Sequence, residues 1–320
     1  MTMAADEFKN VPCKILITGG AGFIASALAH RLVQAEENFV VIVDSMLTGS
    51  KKNLPGCTYK NWHFIYADVN KYEEMSAIMV LYHFDYVFHY AATVGVQFTL
   101  SHPVMVLNDI QGIRNILDLS KNTGVKCVYY SSSSEVYGEP VEFPQNEETT
   151  ALNSRLPYAV VKNVGESFLK SYHKEYGLNY VIFRFFNTYG PMQSHDFVVS
   201  KFMRAALQQK DIMINGDGKQ TRTFLYIDDN VAATTNEFNY QKYTNQIVNI
   251  GSDIETTILE LAERIISLTK SKSKIYHLPP LPEGDMMRRR PDVSKMKQLL
   301  NRELIPLDQG LHQILNSWSS

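Results

Sequence analysis

The sequence predicts an α/β fold in which a doubly wound parallel sheet carries a smaller C-terminal α/β lobe. Over the first half of the chain, short apolar runs alternate with longer amphipathic ones. Such alternation is typical of parallel strands covered by helices on both faces. A glycine-rich turn follows the first apolar run, and beyond Pro191 the alternation gives way to an irregular pattern rich in prolines. These observations indicate one large sheet and a second, smaller part.

The first half supplies strands and helices in alternation. Each predicted strand is a short apolar run, and each predicted helix is a longer stretch with apolar residues at helical spacing. In chain order we expect strand 14–18, helix 24–34, strands 39–44 and 63–66, helix 72–82, strand 86–90, helix 104–121 and strand 127–130.

The same pattern continues with helix 158–176 and strand 180–184 before it becomes irregular. Helices 197–208 and 258–268 and strand 246–250 are the remaining predicted elements. Prolines at 279, 280, 282 and 291 predict a loop-rich C-terminal region. We expect this region to belong to the smaller lobe, which would cap the carboxyl edge of the sheet.

Composition excludes several classes of protein. The chain has 320 residues, 45% of them apolar, and a net charge of −2, so no overall basic field favours nucleic acid. No run approaches the roughly 20 apolar residues that span a bilayer, and residues 1–10 contain acids and lack the apolar core of a signal peptide. The three cysteines are far apart, which predicts buried thiols in a reducing cytoplasm and no metal site.

A dinucleotide site is indicated where the first strand meets the first helix. The turn reads Gly19-Gly-Ala-Gly22-Phe23-Ile24-Ala25, with alanine at the usual third glycine. Gly19 allows the tight turn, and Gly22 lets a pyrophosphate approach the backbone at the helix N-terminus. The fold class is therefore predicted to be a Rossmann sheet.

Two acidic positions refine this prediction. Asp44 ends the second strand, 22 residues after Gly22, where a carboxylate accepts hydrogen bonds from a ribose 2′-hydroxyl and repels a 2′-phosphate. This favours NAD over NADP. Asp68 and Val69 follow the third strand and are candidate contacts for the adenine.

A tyrosine and a lysine lie four residues apart in a predicted helix. The spacing of Tyr158 and Lys162 puts both side chains on one face, one turn apart. An ammonium beside a phenol favours the phenolate, so we expect Lys162 to lower the pKa of Tyr158. A phenol tuned in this way can take a proton from an alcohol while a hydride leaves the same carbon.

Taken in order, the motifs resemble the extended short-chain dehydrogenase/reductase family, and within it the nucleotide-sugar epimerases, dehydratases and decarboxylases. The resemblance runs from about residue 14 almost to the C-terminus. It rests on the glycine turn, Asp44, Ala91-Ala92, Ser131-Ser-Ser133-Ser134-Glu135-Val-Tyr-Gly138, Tyr158-x-x-x-Lys162 and Arg184-Phe-Phe-Asn187-Thr-Tyr-Gly-Pro191.

The resemblance implies a role for each of these residues. Tyr158 would remove the proton from the sugar 4-hydroxyl, Ser133 would hydrogen-bond the same oxygen, and Lys162 would bind the nicotinamide ribose. NAD would be recycled through a transient 4-keto sugar. The glycine turn with Phe23 and Ile24, Asp44, Asp68, Val69, Ala91 and Ala92 would form the rest of the cofactor site.

The resemblance also implies a nucleotide-sugar substrate, with UDP as the commonest nucleotide of the group. Asn187 and Arg222 match residues that bind the substrate diphosphate. The implied NAD-binding domain spans 13–190 and regains 223–252, and the substrate-binding lobe spans 191–222 and 253–320. Helices near 104–121 and 158–176 would pair across a homodimer.

Glu135, Ser134 and Arg289 bear on which reaction follows oxidation. Ser-Ser-Glu and the arginine of Arg289-Arg-Pro-Asp resemble UDP-glucuronate decarboxylases, in which that arginine assists at the sugar carboxylate. Asn163 and Met192 stand where decarboxylases usually have arginine, which keeps a 4-epimerase open. A 4,6-dehydratase is the third alternative, and an NAD-sensing binding protein on the same fold is a fourth.

Overall fold

The computed structural model describes residues 12–139, 141–280 and 286–319. The predictions for residues 1–10 and for Pro282 lie outside these ranges. In chain order the strands are β1 (Cys13–Thr18), β2 (Asn38–Asp44), β3 (Trp62–Tyr66), β4 (Tyr86–His89), β5 (Cys127–Ser133), β6 (Asn179–Phe185), β7 (Thr188–Tyr189), β8 (Ile212–Asn215), β9 (Thr221–Thr223), β10 (Leu225–Tyr226), β11 (Gln246–Ile250), β12 (Glu255–Thr257) and β13 (Ile275–Leu278).

The helices are α1 (Phe23–Leu32), α2 (Tyr72–Tyr82), α3 (Val96–Ser101), α4 (Pro103–Leu107), α5 (Asp109–Thr123), α6 (Pro157–Tyr176), α7 (Val198–Leu207), α8 (Ile227–Tyr240), α9 (Ile258–Thr269), α10 (Ser294–Leu300) and α11 (Leu307–Ser319). Short 3₁₀ turns cover Lys51–Asn53 and Ser134–Tyr137. None of the helices in the described ranges is both long and apolar enough to cross a membrane.

Seven strands form one sheet in the order β3-β2-β1-β4-β5-β6-β11, and all of its neighbouring pairs are parallel. After β3 the chain returns to the far side of β1, so the strand order reverses between β1 and β4. The carboxyl ends of the strands on either side of such a reversal leave a crevice for a ligand. The predicted Rossmann sheet is confirmed.

Two apolar layers cover this sheet, because every second residue of a strand points to the same face. On one face Ile15, Ile17, Val40 and Ile42 pack with apolar residues of α1, α8 and α10. On the other face, Leu16 and its neighbours pack with α2, α5 and α6. Strands covered on both faces explain the continuous apolar runs in the sequence.

A third apolar cluster lies in the second half of the chain. It joins α7, α9 and α11 through residues such as Phe202, Leu261 and Ile314. Short two-stranded pairings, β8 with β13 and β9 with β12, accompany these helices. Thr257 begins α9 with a capping box: its hydroxyl accepts from the Glu260 N–H while Glu260 accepts from the Thr257 N–H. This is the predicted smaller α/β lobe, and its boundaries at 190, 222 and 252 stay predictions.

Some predicted elements need correction. The helix predicted over 104–121 is interrupted at Asn108, where α4 ends and α5 begins. The C-terminal region is not mainly loop, since α10 and α11 occupy much of it. Leu311 and Ile314 of α11 are buried at helical spacing, as are Met296, Leu299 and Leu300 of α10. The prolines precede these helices and do not interrupt them.

The cysteines also differ from the prediction. All three are free, but Cys57 is exposed and Cys13 is partly exposed. Of the three, Cys127 is the buried thiol. Burial raises the pKa of Cys13 to about 11 and that of Cys127 to about 12, so both thiols stay protonated near neutral pH.

Candidate active site

The glycine turn joins the carboxyl end of β1 to α1. Gly19 has a φ of +69°, and a Cβ there would lie 2.6 Å from the Cα of Ala91. The turn therefore packs directly on the loop after β4, which carries Ala91 and Ala92. α1 begins at Phe23 with Gly22 as its N-cap, and its first turn has no acidic residue. The N–H groups at this helix start form an anion site that fits a pyrophosphate.

Asp44 is held against the same turn. Its Oδ2 accepts a hydrogen bond from the Ala21 N–H at 2.9 Å, and its Oδ1 accepts from the Met46 N–H at 2.7 Å. A carboxylate oxygen has two acceptor sites, so each oxygen can still accept from a ribose hydroxyl. The negative charge disfavours a 2′-phosphate at this place. The residues present therefore fit NAD.

Asp68 and Val69 lie in the turn after β3. The Asp68 carboxylate accepts from the Asn70 N–H at 2.9 Å, and the Val69 carbonyl accepts from the Asn115 amide at 2.9 Å. Their side-chain and main-chain groups thus brace the turn against α5. A contact of Asp68 or Val69 with the adenine stays a prediction.

The predicted serine and tyrosine are brought together at the carboxyl end of β5. Ser133 is the last residue of that strand, and Tyr158 lies in the first turn of α6, which begins at Pro157. Burial raises the pKa of the Tyr158 phenol, and the charge of Glu135 raises it further. A hydrogen bond with Ser133 acts in the opposite direction but does not offset them.

Lys162 lies one turn further along α6, and its Nζ is 5.7 Å from the centre of the Tyr158 ring. The amine donates to the Ser131 carbonyl at 2.5 Å and lies 3.3 Å from the Ser131 hydroxyl. Burial lowers the pKa of Lys162 to about 8. The expectation that Lys162 gives Tyr158 a lowered pKa is wrong, because burial of the phenol raises its pKa and the charges of Glu135 and Asp109 raise it further.

Glu135 and Arg289 form an ion pair next to the carboxyl end of β5. Arg289 Nη1 lies 2.8 Å from Glu135 Oε1 and donates to Ser134 Oγ at 3.4 Å, although Ser134 and Arg289 are 155 positions apart. Arg289 is only 5% exposed. The charge of Glu135 raises the pKa of Tyr158, so the pair borders the serine–tyrosine group. The structure thus unites the predicted catalytic residues at one edge of the sheet.

The two predicted diphosphate ligands, Asn187 and Arg222, lie on different segments of the chain, and a backbone hydrogen bond joins these segments. Asn187 follows β6, and its carbonyl accepts from the Leu225 N–H at 2.9 Å. Arg222 lies on β9, three positions before Leu225, and its Nη1 donates to the Thr221 carbonyl at 2.7 Å. The Asn187 backbone therefore pairs with the segment that carries Arg222. Their contact with a diphosphate stays a prediction.

A buried ion pair behind the site was missed at the level of sequence. Arg184 on β6 donates to both carboxylate oxygens of Glu166 on α6, at 2.9 and 2.7 Å. Ser132 donates to Glu166 at 2.6 Å, and Arg184 donates to the Tyr137 hydroxyl at 2.8 Å. These bonds fix the Ser-Ser-Glu segment from behind. An arginine at the end of a buried apolar strand was the available signal.

Asp109 is a second missed residue. It is the first residue of α5, is 9% exposed, and accepts from the Thr93 N–H at 2.6 Å. The sequence pattern placed it inside a long helix, where an acid usually faces solvent. Its burial beside the loop that carries Ala91 and Ala92 follows from the break in that helix at Asn108.

The sheet order, the glycine turn that faces Asp44, and the group formed by Ser133, Tyr158 and Lys162 together define a class of protein. The fold and site are those of an NAD-binding short-chain dehydrogenase/reductase of the extended type.

Comparison with known proteins narrows this class. Residues 15–251 match the NAD dependent epimerase/dehydratase family, and the chain belongs to that family. It is therefore an enzyme, and its cofactor is NAD.

Two similar proteins match nearly the whole chain. A UDP-N-acetyl-alpha-D-glucosaminuronate decarboxylase from Bacillus cytotoxicus is 36% identical, over 94% of this chain and 96% of its own length. UDP-glucuronic acid decarboxylase 1 from Danio rerio is 35% identical, over 96% of this chain and 72% of its own.

A solved structure also has a similar fold over nearly the whole chain. The UDP-glucose 4-epimerase of Thermotoga maritima, crystallised with UDP-glucose, superposes with a TM-score of 0.89. It is 32% identical, and the match covers 96% of this chain and 98% of that one. Decarboxylases and epimerases are thus both among the similar proteins.

Proposed function

We propose that the protein is an NAD-dependent decarboxylase of nucleotide-linked uronic acids, with UDP-glucuronate as substrate and UDP-xylose as product. The observation that carries this proposal is the position of Arg289, whose guanidinium lies beside Ser134 and Glu135 at the edge that holds Tyr158. A guanidinium fork suits a planar carboxylate, because it can donate two parallel hydrogen bonds. The C6 carboxylate of the sugar would therefore find its partner next to the oxidising residues.

In this proposal the chain's own residues divide the work on the sugar. Tyr158 accepts the proton of the 4-hydroxyl, and Ser133 donates a hydrogen bond to the same oxygen as charge develops. Bound NAD supplies the hydride acceptor and, at the end, the hydride donor. The 4-ketone makes the C5–C6 bond labile, so that carbon dioxide leaves and its electron pair stays at C5. Glu135 is the candidate for moving the proton that then reaches C5.

A 4-epimerase acting on UDP-glucose or UDP-N-acetylglucosamine is the second candidate. The ion pair itself favours it in one respect: Glu135 and Arg289 neutralise each other, and an epimerase needs neither a carboxylate clamp nor an acid at C5. The dehydratase has less support, because Ser134 stands where a general acid would be needed and a serine hydroxyl is too weak an acid to protonate a leaving group near neutral pH.

The nucleotide part of the substrate is proposed from Asn187 and Arg222. Both lie on segments joined by the Asn187–Leu225 hydrogen bond, and an arginine fork there matches a diphosphate. The names of the two decarboxylases and of the epimerase described above all specify UDP-linked sugars. UDP is therefore the nucleotide in our proposal.

The test is incubation of the NAD-loaded enzyme with UDP-glucuronate, UDP-N-acetylglucosaminuronate and UDP-glucose in parallel. We expect carbon dioxide and UDP-xylose from UDP-glucuronate. Gas release measures the carbon dioxide, and chromatography identifies the sugar nucleotide. Glu135→Gln should reduce decarboxylation by about 10²-fold or more, the usual weight of a positioned acid or base. Glu263→Gln, on the exposed face of α9, is the matched control and should keep full activity.

Interconversion of UDP-glucose and UDP-galactose, with both uronates left unchanged, would replace the decarboxylase by the epimerase. If carbon dioxide is released only from UDP-N-acetylglucosaminuronate, the proposed decarboxylation is retained and the proposed sugar is replaced.

We further propose that the protein is a homodimer. Val160, Val164 and Phe168 follow one another at helical spacing and line a groove on α6. Nearby α4 packs on α6 and leaves Val104 72% and Leu107 41% exposed. An apolar groove beside exposed apolar side chains is the kind of surface that a second copy covers.

A further inference from the structure

The segment that carries Arg289 is attached to the rest of the molecule on two sides. On the first side it pairs with the backbone of Gln145. The Gln145 N–H donates to the Arg290 carbonyl at 2.8 Å, and the Asp292 N–H donates to the Gln145 carbonyl at 2.8 Å. These bonds tie the segment to the chain between the Ser134–Tyr137 turn and α6.

The second side is a group of polar contacts with β9 and β12. The Thr221 N–H donates to the Met287 carbonyl at 3.0 Å, and the Thr221 hydroxyl donates to Glu255 Oε1 at 2.9 Å. Arg288 donates to both carboxylate oxygens of Glu255, from Nε and from Nη2, each at 2.7 Å. Thr221, Glu255 and Arg288 together form what we call the β9 clamp.

The β9 clamp adjoins both arginines to which the proposed function gives a substrate group. Thr221 directly precedes Arg222, the candidate ligand of the diphosphate. Arg288 directly precedes Arg289, the candidate ligand of the sugar carboxylate. The two arginines are far apart in sequence, and the clamp joins their segments through hydrogen bonds of the residues next to them. A change in the position of β9 is therefore passed directly to the segment of Arg289.

An exposed ion pair alone contributes little to stability. The Arg288 side chain is 45% exposed and that of Glu255 22% exposed. This pair is nevertheless fixed in direction, because it is bidentate and because Thr221 donates to the same carboxylate. The hydrogen bonds from Arg288 lower the pKa of Glu255, burial raises it less, and the bond from Thr221 lowers it again. The carboxylate is thus charged at neutral pH, and the clamp is suited to orientation more than to stability.

We propose that Glu255 and Arg288 are positioning residues, which join strand β9 to the segment that carries Arg289. Through them, a nucleotide diphosphate held at β9 sets the place of the guanidinium assigned to the sugar. This deepens the proposed function and rests on it for the substrate groups assigned to Arg222 and Arg289. The attachment of the segment by the clamp does not depend on any reaction.

The first experiment measures amide hydrogen exchange in the ligand-free protein. Arg288→Met removes the fork and keeps an apolar stem over the Phe143 ring, whose centre lies 4.4 Å from the guanidinium. Exchange in the peptide that covers 286–292 should become about two- to fivefold faster, the effect of one exposed ion pair on a local opening equilibrium. Arg264→Met is the matched control, because Arg264 is 48% exposed and pairs with Asp308 at 2.9 Å. Equal exchange in the two variants would overturn the proposal.

Addition of UDP then tests the coupling. The Leu225 N–H donates to the Asn187 carbonyl at 2.9 Å, so a peptide containing Leu225 reports on the nucleotide end. In the wild type UDP should slow exchange both there and in 286–292, and in Arg288→Met only in the Leu225 peptide. Equal protection of 286–292 in both proteins would overturn the coupling, because the ligand would then act on the segment without the clamp. No protection in the wild type would count against the proposed nucleotide, while the ligand-free exchange still decides the attachment.

The NAD-loaded enzyme with UDP-glucuronate separates placement from binding. Arg288→Met should lower kcat by about tenfold and leave KM near that of the wild type, since β9 still binds the diphosphate. The loss is smaller than the roughly 10²-fold that a displacement of 1 Å can cost, because the bonds to Gln145 still hold the segment. Arg288→Lys keeps the charge without the fork and should fall between, and Arg264→Met should match the wild type.

A raised KM with an unchanged kcat in Arg288→Met would contradict a positioning role. A wild type that turns over no uronate would count against the proposed function alone, since the ligand-free exchange tests the clamp without it.

Discussion

Tyr158 receives opposing influences from its neighbours. Burial and the charge of Glu135 raise the pKa of its phenol, and the hydrogen bond from Ser133 lowers it. The phenol is therefore protonated at neutral pH, and removal of Ser133 would raise the cost of the phenolate further. In the proposed reaction, the Ser133 hydroxyl is the group that would lower the cost of forming the phenolate.

At this scale we expect Ser133→Ala to slow oxidation of the sugar at C4 by about 10²-fold, the low end of the effect of one positioned proton-transfer partner. Rapid-mixing measurement of nicotinamide reduction would report this step separately from later ones. Ser317→Ala, an exposed serine on α11, is the control that should leave the rate unchanged. An unaltered rate in Ser133→Ala would remove the serine from the mechanism.

Residues carried by short motifs were predictable from sequence, because Ser133, Tyr158 and Lys162 meet through local strand and helix geometry. The Glu135–Arg289 contact was suggested only by resemblance, since 155 positions separate Ser134 from Arg289 and no spacing rule joins them. Asp109 was missed for another reason. Its burial depends on how α5 packs against the loop after β4, and a single acid in an amphipathic stretch looks like a surface residue.

At the scale of the element, α8 carries a buried acid in its last turn. Glu237 is fully buried in the last turn of α8 and accepts from the Tyr243 N–H at 2.9 Å. Burial raises its pKa from 4.5 to about 7. A raised pKa means that the fold binds the proton more tightly than the unfolded chain does, so this contribution to stability is lost as the pH rises from 4.5 through 7.

Glu237→Gln keeps an acceptor for Tyr243 and removes the titration. We expect its melting temperature at pH 8 to exceed that of the wild type by about 2–4 °C, the shift given by about 1 kcal/mol in a large domain. The difference should shrink as the pH falls toward 4.5. Glu263→Gln on α9 is exposed and should show neither effect. A variant less stable than the wild type at pH 8 would contradict the assignment of a buried, proton-binding carboxyl.

The elements of the large sheet were predictable because they are apolar and follow one period. The strands predicted from 14 to 250 all occur, with shifts of a few residues at their ends. α8 was overlooked because Asp229, Asn230, Thr234 and Glu237 are buried there and mask its apolar face. α10 was overlooked because it is short. α11 was overlooked because the prolines between 279 and 291 led to the prediction of a loop-rich C-terminal region. In each case tertiary packing, and not local preference, decides the structure.

The whole molecule exposes apolar side chains where a second copy is proposed to bind. A charge placed in the α6 groove would have to be buried unpaired in a dimer, which is costly. We therefore expect the wild type to sediment as a dimer and Val164→Glu to sediment as a monomer in analytical ultracentrifugation. Leu81→Glu changes an exposed leucine on α2 and should leave the dimer intact. A wild type that is monomeric at every concentration would exclude the dimer.

The separation of Glu135 and Arg289 along the chain has a consequence for biosynthesis. A ribosome adding about 5–20 residues per second needs roughly 8–30 s to proceed from one to the other. Tyr158 and Lys162 are added early in that interval, and from then on the nascent chain holds the glycine turn, the serine, the tyrosine and the lysine, but not the arginine that pairs with Glu135. The pocket is therefore completed among the last events of synthesis, and a message truncated before codon 289 would yield the residues of the cofactor turn without a finished substrate site.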